Sequence, residues 1–214
     1  MALNENLLYS FRRCPYAMRA RMALVSAQIP VTIHEVSLKD KPDHMLEISP
    51  KGTVPVLQTS DGNVLEESID IIFWVLGQND PDGLLNFDLN DVKTLIAEND
   101  GPFKAALDRY KYPSRYPDED CSGARDIGEA FLIKLNDRID GQGQIMGSQI
   151  TIADIAIFPF IRQFANTDRV WFDALPLKPL QDWLSGHING ALFTHIMRKY
   201  RDERYDLLDN APNA

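Results

Sequence analysis

The stretch YSFRRCPYAMRARMAL, Tyr9 to Leu24, sets a cysteine directly before a proline where an apolar run gives way to helical spacing. The run leading into it, NLLYSF (Asn6 to Phe11), is short and apolar and suits a buried strand. Pro15 suits the first turn of a helix, where its missing N–H is no loss. Ala17, Met18, Met22, Ala23 and Leu24 continue that helix, and Gln28 to Pro30 close it. Cys14 therefore stands at a helix start, where unpaired N–H groups and the positive end of the dipole favour a thiolate. An ordinary thiol, with a pKa of about 8.5, stays mostly protonated at neutral pH. Arg12, Arg13, Arg19 and Arg21 form a basic cluster that pushes the same way. A cysteine before a helix is also a common small core residue. Pro15 and the basic flanks favour the reactive reading.

Outward from this helix, VTIHEVSL (Val31 to Leu38) is β-branched and alternating, which predicts a second strand. Strand, helix, strand in that order implies a crossover and parallel pairing. A charged loop with one short helix follows in KDKPDHMLEISPKG. TVPVLQTSDGNVLEES then reads as two strands turned at Asp61-Gly62, a strong hairpin signal. SIDIIFWVLGQ is a helix with Ser68 as its N-cap. NDPDGLLNFDLN, rich in turn formers, marks a linker over residues 79–90.

The expected organisation is an α/β domain over residues 1–78 and an all-helical domain over residues 91–214. Helices are expected near Asp91–Tyr110, Ser122–Ile139, Ile152–Phe164, Leu177–Ser185 and Ala191–Tyr200, with no strand after the linker. Asn210 to Ala214 read as a frayed end. In ITIAD, Thr151 and Asp154 make a capping box, flanked by Ile150 and Ile155 as a hydrophobic staple. This is a folding device and needs no catalytic role.

The bulk properties narrow the functional classes. With 22 Lys and Arg against 31 Asp and Glu, the formal charge of -9 argues against nucleic-acid binding. The first residues lack a basic, signal-like segment, and ITIADIAIFPFIRQF falls short of a spanning helix. A cytoplasmic protein without a membrane span is expected. Cys14 and Cys121 are the two cysteines, too few for a disulfide framework. Cys121 has acidic neighbours that disfavour its thiolate. The four histidines show no metal-ligand spacing, so no metal is expected. Phe103, Tyr110, Tyr112, Trp171 and Phe172 lie at helical spacing and read as core.

CPYA after a first strand, GTVPVL, LEES opening a helix, and TIADIAIFPF together resemble the cytosolic glutathione transferases. YSFRRCPYAMRAR and SLKDKPD are most similar to the omega class, which has a cysteine where other classes use serine or tyrosine. The likeness covers both halves and is strongest over Leu7 to Gly77. It implies a thioredoxin-like glutathione-binding domain with a cis-proline at Pro55, and a helical-bundle second domain. It also implies a homodimer, with glutathione as co-substrate beside a small electrophilic or disulfide substrate. By the same resemblance Cys14 is catalytic and the backbone of Val54 pairs with the cysteinyl part of glutathione. Glu67 and Ser68 then hold the γ-glutamyl end, while Lys41, or Lys39 in its place, neutralises the glycine carboxylate. One departure is Arg13, where the omega class usually carries an aromatic residue.

Ala17 stands where a dithiol oxidoreductase carries its second cysteine, which predicts a monothiol cycle. Two other readings stay open. Conjugation of glutathione to an electrophile would use Tyr9, Ser10 or Tyr16 against the glutathione sulfur. A non-catalytic interaction protein, as in the stringent starvation protein A group or the chloride intracellular channel relatives, would need no glutathione at all.

Overall fold

A computed structural model describes residues 5–200, 202–209 and 211. The chain divides into two compact units, residues 1–83 with 189–214, and residues 84–188.

The first unit is built on a mixed five-stranded sheet in the order β4-β3-β1-β2-β5. β1 (Leu7–Ser10) is buried at all four positions, with Leu7, Leu8 and Tyr9 in the core and Ser10 a buried polar residue at its end. It pairs in parallel with β2 (Thr32–Glu35), in register Leu7 to Thr32 through Ser10 to Glu35. The crossover between them is α1 (Pro15–Ser26), with Pro15 at its first position. β3 (Val56–Gln58) runs antiparallel to β1, and β4 (Val64–Leu65) antiparallel to β3. The hairpin turns at Gly62, whose φ of +92° suits a residue without a Cβ. α2 (Asp43–Ile48) is a six-residue helix, and α3 (Ser68–Leu76) follows β4. Leu7, Tyr9, Val36, Met45 and Val56 form a hydrophobic cluster on the sheet.

Two features of this unit depart from the sequence reading. A further strand, β5 (Arg204–Asp206), pairs antiparallel with β2, in register Ile33 to Tyr205. It is three residues long with two exposed charged positions, so it carries no apolar alternation to betray it. The N-cap of α3 is Glu67, with extended dihedrals, and Ser68 is the first helical residue. The expected frayed end, Asn210 to Ala214, lies outside the described residues apart from Ala211.

The second unit contains α4 (Leu89–Glu98), α5 (Lys104–Lys111), α6 (Ala124–Ile139), α7 (Ile152–Ala165), α8 (Arg169–Ala174) and most of α9 (Lys178–Asn189). The single helix expected over 91–110 is interrupted by a π-helical stretch, Asn99–Phe103, containing Pro102. Pro102 has no N–H to give to the ladder, which accounts for the local change of pitch. α8 is too short for a periodic pattern, and its N-cap Asp168 accepts from the Trp171 amide at 3.0 Å. α10 (Ala191–Ile196) returns to the first unit.

Of the aromatic residues read as core, Phe103 and Phe172 are buried, whereas Tyr110, Tyr112 and Trp171 are half-buried. Phe103 packs at a tilt against Phe131 and Phe164, with centroids 4.8 and 5.3 Å apart. Phe164 also meets Tyr110 and Trp171. Asp154, fully buried, accepts from the amides of Ile145 and Thr151, from the Thr151 hydroxyl and from Trp183 Nε1. The capping box at Thr151 is thus formed in full. Ile150 keeps 44% of its surface exposed, so the outer half of the expected staple contributes little burial. Among the described residues no helix is long and apolar enough to cross a membrane.

Candidate active site

Cys14 occupies the N-cap position of α1, with φ -77° and ψ 123°, directly before Pro15. The turn that delivers it is closed by its own amide, which donates to Phe11 O at 2.9 Å. Glu35, at the end of β2, accepts from the Arg12 amide at 2.7 Å and fixes the same turn from the sheet side. No acidic residue lies in the first turn of α1, so nothing in that turn offsets the positive helix end. The sulfur is half-buried and outside any disulfide, as is that of Cys121.

The Cys14 thiol donates to the carbonyl of Val54 at 3.6 Å, across forty residues of sequence. The Val54–Pro55 peptide is cis. Val54 thus stands beside the sulfur at the entry to β3. Lys41 lies along the same loop: a Cβ on Gly52 would come within 3.4 Å of Lys41 Nζ. Gly52 has a φ of +61°, so both its backbone and its neighbour call for glycine. Lys41, Asp40 and His34 share a small cavity of about 180 Å³ with Glu35 and Glu203. Lys39 is exposed.

Glu67 is an exposed carboxylate paired with Lys51, Nζ to Oε1 at 2.5 Å. Lys51 was not singled out by sequence reasoning, because a lysine in a loop carries no pattern of its own. Ser68 is 2% exposed, and its Oγ accepts from the Nε of the equally buried Arg19 at 3.0 Å. α1 and α3 are therefore linked through a side-chain bond behind the two positions the resemblance assigns to the γ-glutamyl end.

The four arginines of the basic cluster have distinct partners. Arg13 is exposed, with its guanidinium 5.3 Å from the Phe11 ring centroid. Arg12 Nη1 donates to Met197 O at 3.1 Å, and fully buried Arg21 donates to Ile196 O, so both cap carbonyls at the end of α10. Arg19 serves Ser68. The cluster is largely a set of internal ties, which its sequence position alone could not tell apart from a solvated basic patch.

The residues weighed for a conjugating role fall differently. Tyr9 is buried, and its hydroxyl sits 2.7 Å from His44 Nδ1. Burial pushes its phenol pKa above the ordinary value. Ser10 is fully buried. Tyr16 is half-buried beneath the Arg19 guanidinium, 5.1 Å from its ring centroid. Among the described residues no cluster of His, Cys, Asp and Glu is arranged to hold a metal ion.

A mixed sheet with a parallel β1–α1–β2 unit, a cysteine at the helix start and a cis-proline loop against its sulfur defines a thioredoxin-like thiol site. Here it accompanies a separate helical unit. Residues 8–82 match the family model for the glutathione S-transferase N-terminal domain, and residues 101–187 match that for its C-terminal domain. The chain belongs to the glutathione S-transferase family. Glutathione S-transferase omega-1 of the pig (Sus scrofa) is 26% identical over 226 aligned positions, covering 97% of this chain and 88% of the relative. Omega-1 of the mouse (Mus musculus) is 40% identical over 62 residues, which cover 29% of this chain and span 26% of that relative's length. A glutathione transferase family member from Pseudomonas fluorescens, solved with two glutathione bound, superposes with a TM-score of 0.77. The two share 19% identity, covering 91% of this chain and 92% of the other.

Proposed function

We propose that the protein is a glutathione-dependent thioltransferase of omega-like type, working through a mixed disulfide between Cys14 and glutathione. The observation that carries this reading is the Cys14 sulfur resting on the Val54 carbonyl, in the loop just before β3, whose backbone an extended peptide would pair with. In this reading glutathione lies along the Gly52–Val54 loop with its glycine carboxylate towards Lys41. Its γ-glutamyl group lies towards Glu67 and Ser68. Its ammonium group takes the place of Lys51 at Glu67. Residues 1–78 form the glutathione-binding domain, joined by the returning segment 189–214, with residues 79–90 as the linker and the helical domain running on from residue 91 as far as that segment.

The chemistry runs in two thiol–disulfide exchanges. The Cys14 thiolate attacks the glutathione sulfur of a glutathionylated substrate, and the substrate leaves as a thiolate that takes up a proton. Cys14 is then disulfide-linked to glutathione. The position one helical turn on is Ala17, fully buried and without sulfur, so no thiol at that position can discharge the adduct. A second glutathione, ionised at its own thiol, attacks the glutathione sulfur of that disulfide. Glutathione disulfide departs and the Cys14 thiolate is restored. Ping-pong kinetics follow from this order.

The conjugating alternative needs a hydroxyl to hold the glutathione sulfur, and Tyr9, one of its candidates, is buried with its hydroxyl on His44 and a raised pKa. The interaction-protein alternative predicts no glutathione affinity. The reading further makes the protein a cytoplasmic homodimer, which light scattering after size exclusion tests. Retention on glutathione-agarose together with loss of thioltransferase turnover in Cys14→Ser supports the proposal. Full turnover in Cys14→Ser, or aryl-halide conjugation that survives Cys14→Ala, overturns it.

A further inference from the structure

We infer that Glu35 is a positioning residue for Cys14, clamping the peptide unit on which the thiol-bearing turn is built; its part in turnover rests on the thioltransferase reading above. The peptide unit joining Phe11 to Arg12 is gripped at both ends. Its carbonyl accepts from the Cys14 amide at 2.9 Å, and its N–H donates to Glu35 Oε1 at 2.7 Å. A peptide unit is planar and turns as one body. Tilting it to free the Arg12 N–H therefore also swings the Phe11 carbonyl away from Cys14, and with it the bond that seats the sulfur at the helix start. The carboxylate makes the Arg12 bond charge-assisted, and polarises the unit so that its carbonyl accepts more strongly from Cys14.

Glu35 is itself held in place from several sides. At the end of β2 it stands opposite Ser10, whose carbonyl accepts from the Val36 amide at 2.7 Å. Its own amide donates to Glu203 O at 2.7 Å, immediately before β5. Its second carboxylate oxygen is buried without a hydrogen bond and lies 4.0 Å from Arg21 Nη1. Arg21 is fully buried, and among the described residues its Nε and Nη1 have no hydrogen-bond partner. A buried guanidinium calls for a counter-charge, which Glu35 supplies. The attraction draws the carboxylate inwards and keeps its first oxygen on the Arg12 amide. Arg21 and Arg12 also cap the carbonyls of Ile196 and Met197, so the segment leaving α10 closes on the same clamp. A cavity of about 260 Å³, lined in part by Arg12, Glu35, Tyr200 and Tyr205, adjoins it. The turn thus has room to relax once the carboxylate is gone, and polar bonds rather than close packing hold it.

The test uses three variants of the full chain. Glu35→Gln keeps an oxygen for the Arg12 amide, whereas Glu35→Ala and Glu35→Met remove it. Methionine retains the bulk, which guards against a folding defect in the alanine variant. Amide hydrogen exchange in the ligand-free protein reads the clamp directly. The Arg12 amide should be protected in wild type and Glu35→Gln, and should exchange about tenfold or more faster in the other two. Thioltransferase turnover at saturating glutathione should fall about tenfold in Glu35→Ala and Glu35→Met, since a misplacement of about 1 Å can cost roughly a hundredfold. Their calorimetric affinity for S-methylglutathione should stay within about threefold of wild type. Glu35→Gln loses the charge facing Arg21 and should unfold at lower urea, yet keep turnover within about threefold. A part played in stability alone would instead rank turnover by urea midpoint. Turnover within about twofold of wild type in folded Glu35→Ala or Glu35→Met, or a fall in Glu35→Gln as large as theirs, overturns this inference alone. An Arg12 amide unprotected in wild type overturns the clamp itself. Wild type without thioltransferase turnover overturns the thioltransferase reading, and with it the part of Glu35 in that reaction.

Discussion

Replacing Asp154 by alanine removes the acceptor for four donors at once: the Ile145 amide at 3.0 Å, the Thr151 amide at 2.8 Å, the Thr151 hydroxyl at 3.0 Å and Trp183 Nε1 at 2.9 Å. The Thr151 hydroxyl can rotate to another acceptor, but the amides and the indole cannot. Each buried donor left unpaired costs about 1–3 kcal/mol, and loss of a capping interaction about 0.5–2 kcal/mol. These terms share one network and do not add in full. An overall loss of about 3–5 kcal/mol is expected for the helical unit. At about 2–4 °C per kcal/mol for a chain of this size, the melting temperature should fall by roughly 6–20 °C. Asp154→Asn keeps the volume but turns an amide NH2 towards two donors whichever way it faces, so it should recover little. Urea unfolding followed by tryptophan fluorescence measures the loss directly, since Trp183 is one of the partners. A loss below about 1 kcal/mol in Asp154→Ala would refute the reasoning, because no single unsatisfied donor is that cheap when fully buried.

Three further outcomes follow from particular contacts. Gly128→Ala puts a Cβ 2.3 Å from Phe164 Cε2, in a ring already enclosed by Phe103, Tyr110 and Trp171. Overpacking of about 1–3 kcal/mol should outweigh the roughly 1 kcal/mol gained in helix propensity, giving a net loss in urea unfolding. The Cys14 S–H bond to Val54 O stabilises the protonated thiol, and a ligand amide claiming that carbonyl withdraws the support. The pH midpoint of Cys14 alkylation should therefore drop on saturation with S-methylglutathione, and an unchanged or higher midpoint contradicts this. Burial pushes the Tyr205 phenol up to about 12. The folded state then holds this proton more tightly than the unfolded chain, whose phenol ionises near pH ~10. The resulting stability is present below that pH and is lost as pH rises towards 12. Stability of Tyr205→Phe should decline less across that window, by denaturant titration at fixed pH values.

What the sequence made legible was whatever had a local period or a strong punctuation mark. Pro15 announced α1, Asp61-Gly62 the hairpin, and Thr151 with Asp154 the start of α7, each in a few adjacent residues. β5 escaped because a three-residue edge strand with exposed Arg204 and Asp206 leaves no alternation to read. The π-helical stretch at Asn99–Phe103 escaped because Gly101 and Pro102 inside a helical pattern say that something yields there, not what replaces it.

In the candidate site, Cys14, Val54 and Lys41 were legible as separate loop positions, and the fold brings them along one stretch from Gly52 to the sulfur. Long-range side-chain partners were not legible. Nothing near Arg19 says that its guanidinium ends on Ser68, forty-nine residues away, nor does Lys51 advertise Glu67. The basic cluster around Cys14 suggested four charges facing the thiol, whereas helix geometry sends Arg19 to α3 and Arg21 to the end of α10.

The most direct test of the central claim is intact-mass analysis after incubation with glutathione disulfide, with peptide mapping before and after added glutathione. The account predicts one adduct of glutathione mass, located at Cys14 and released by the thiol. No adduct at Cys14, or an adduct confined to Cys121, would contradict it.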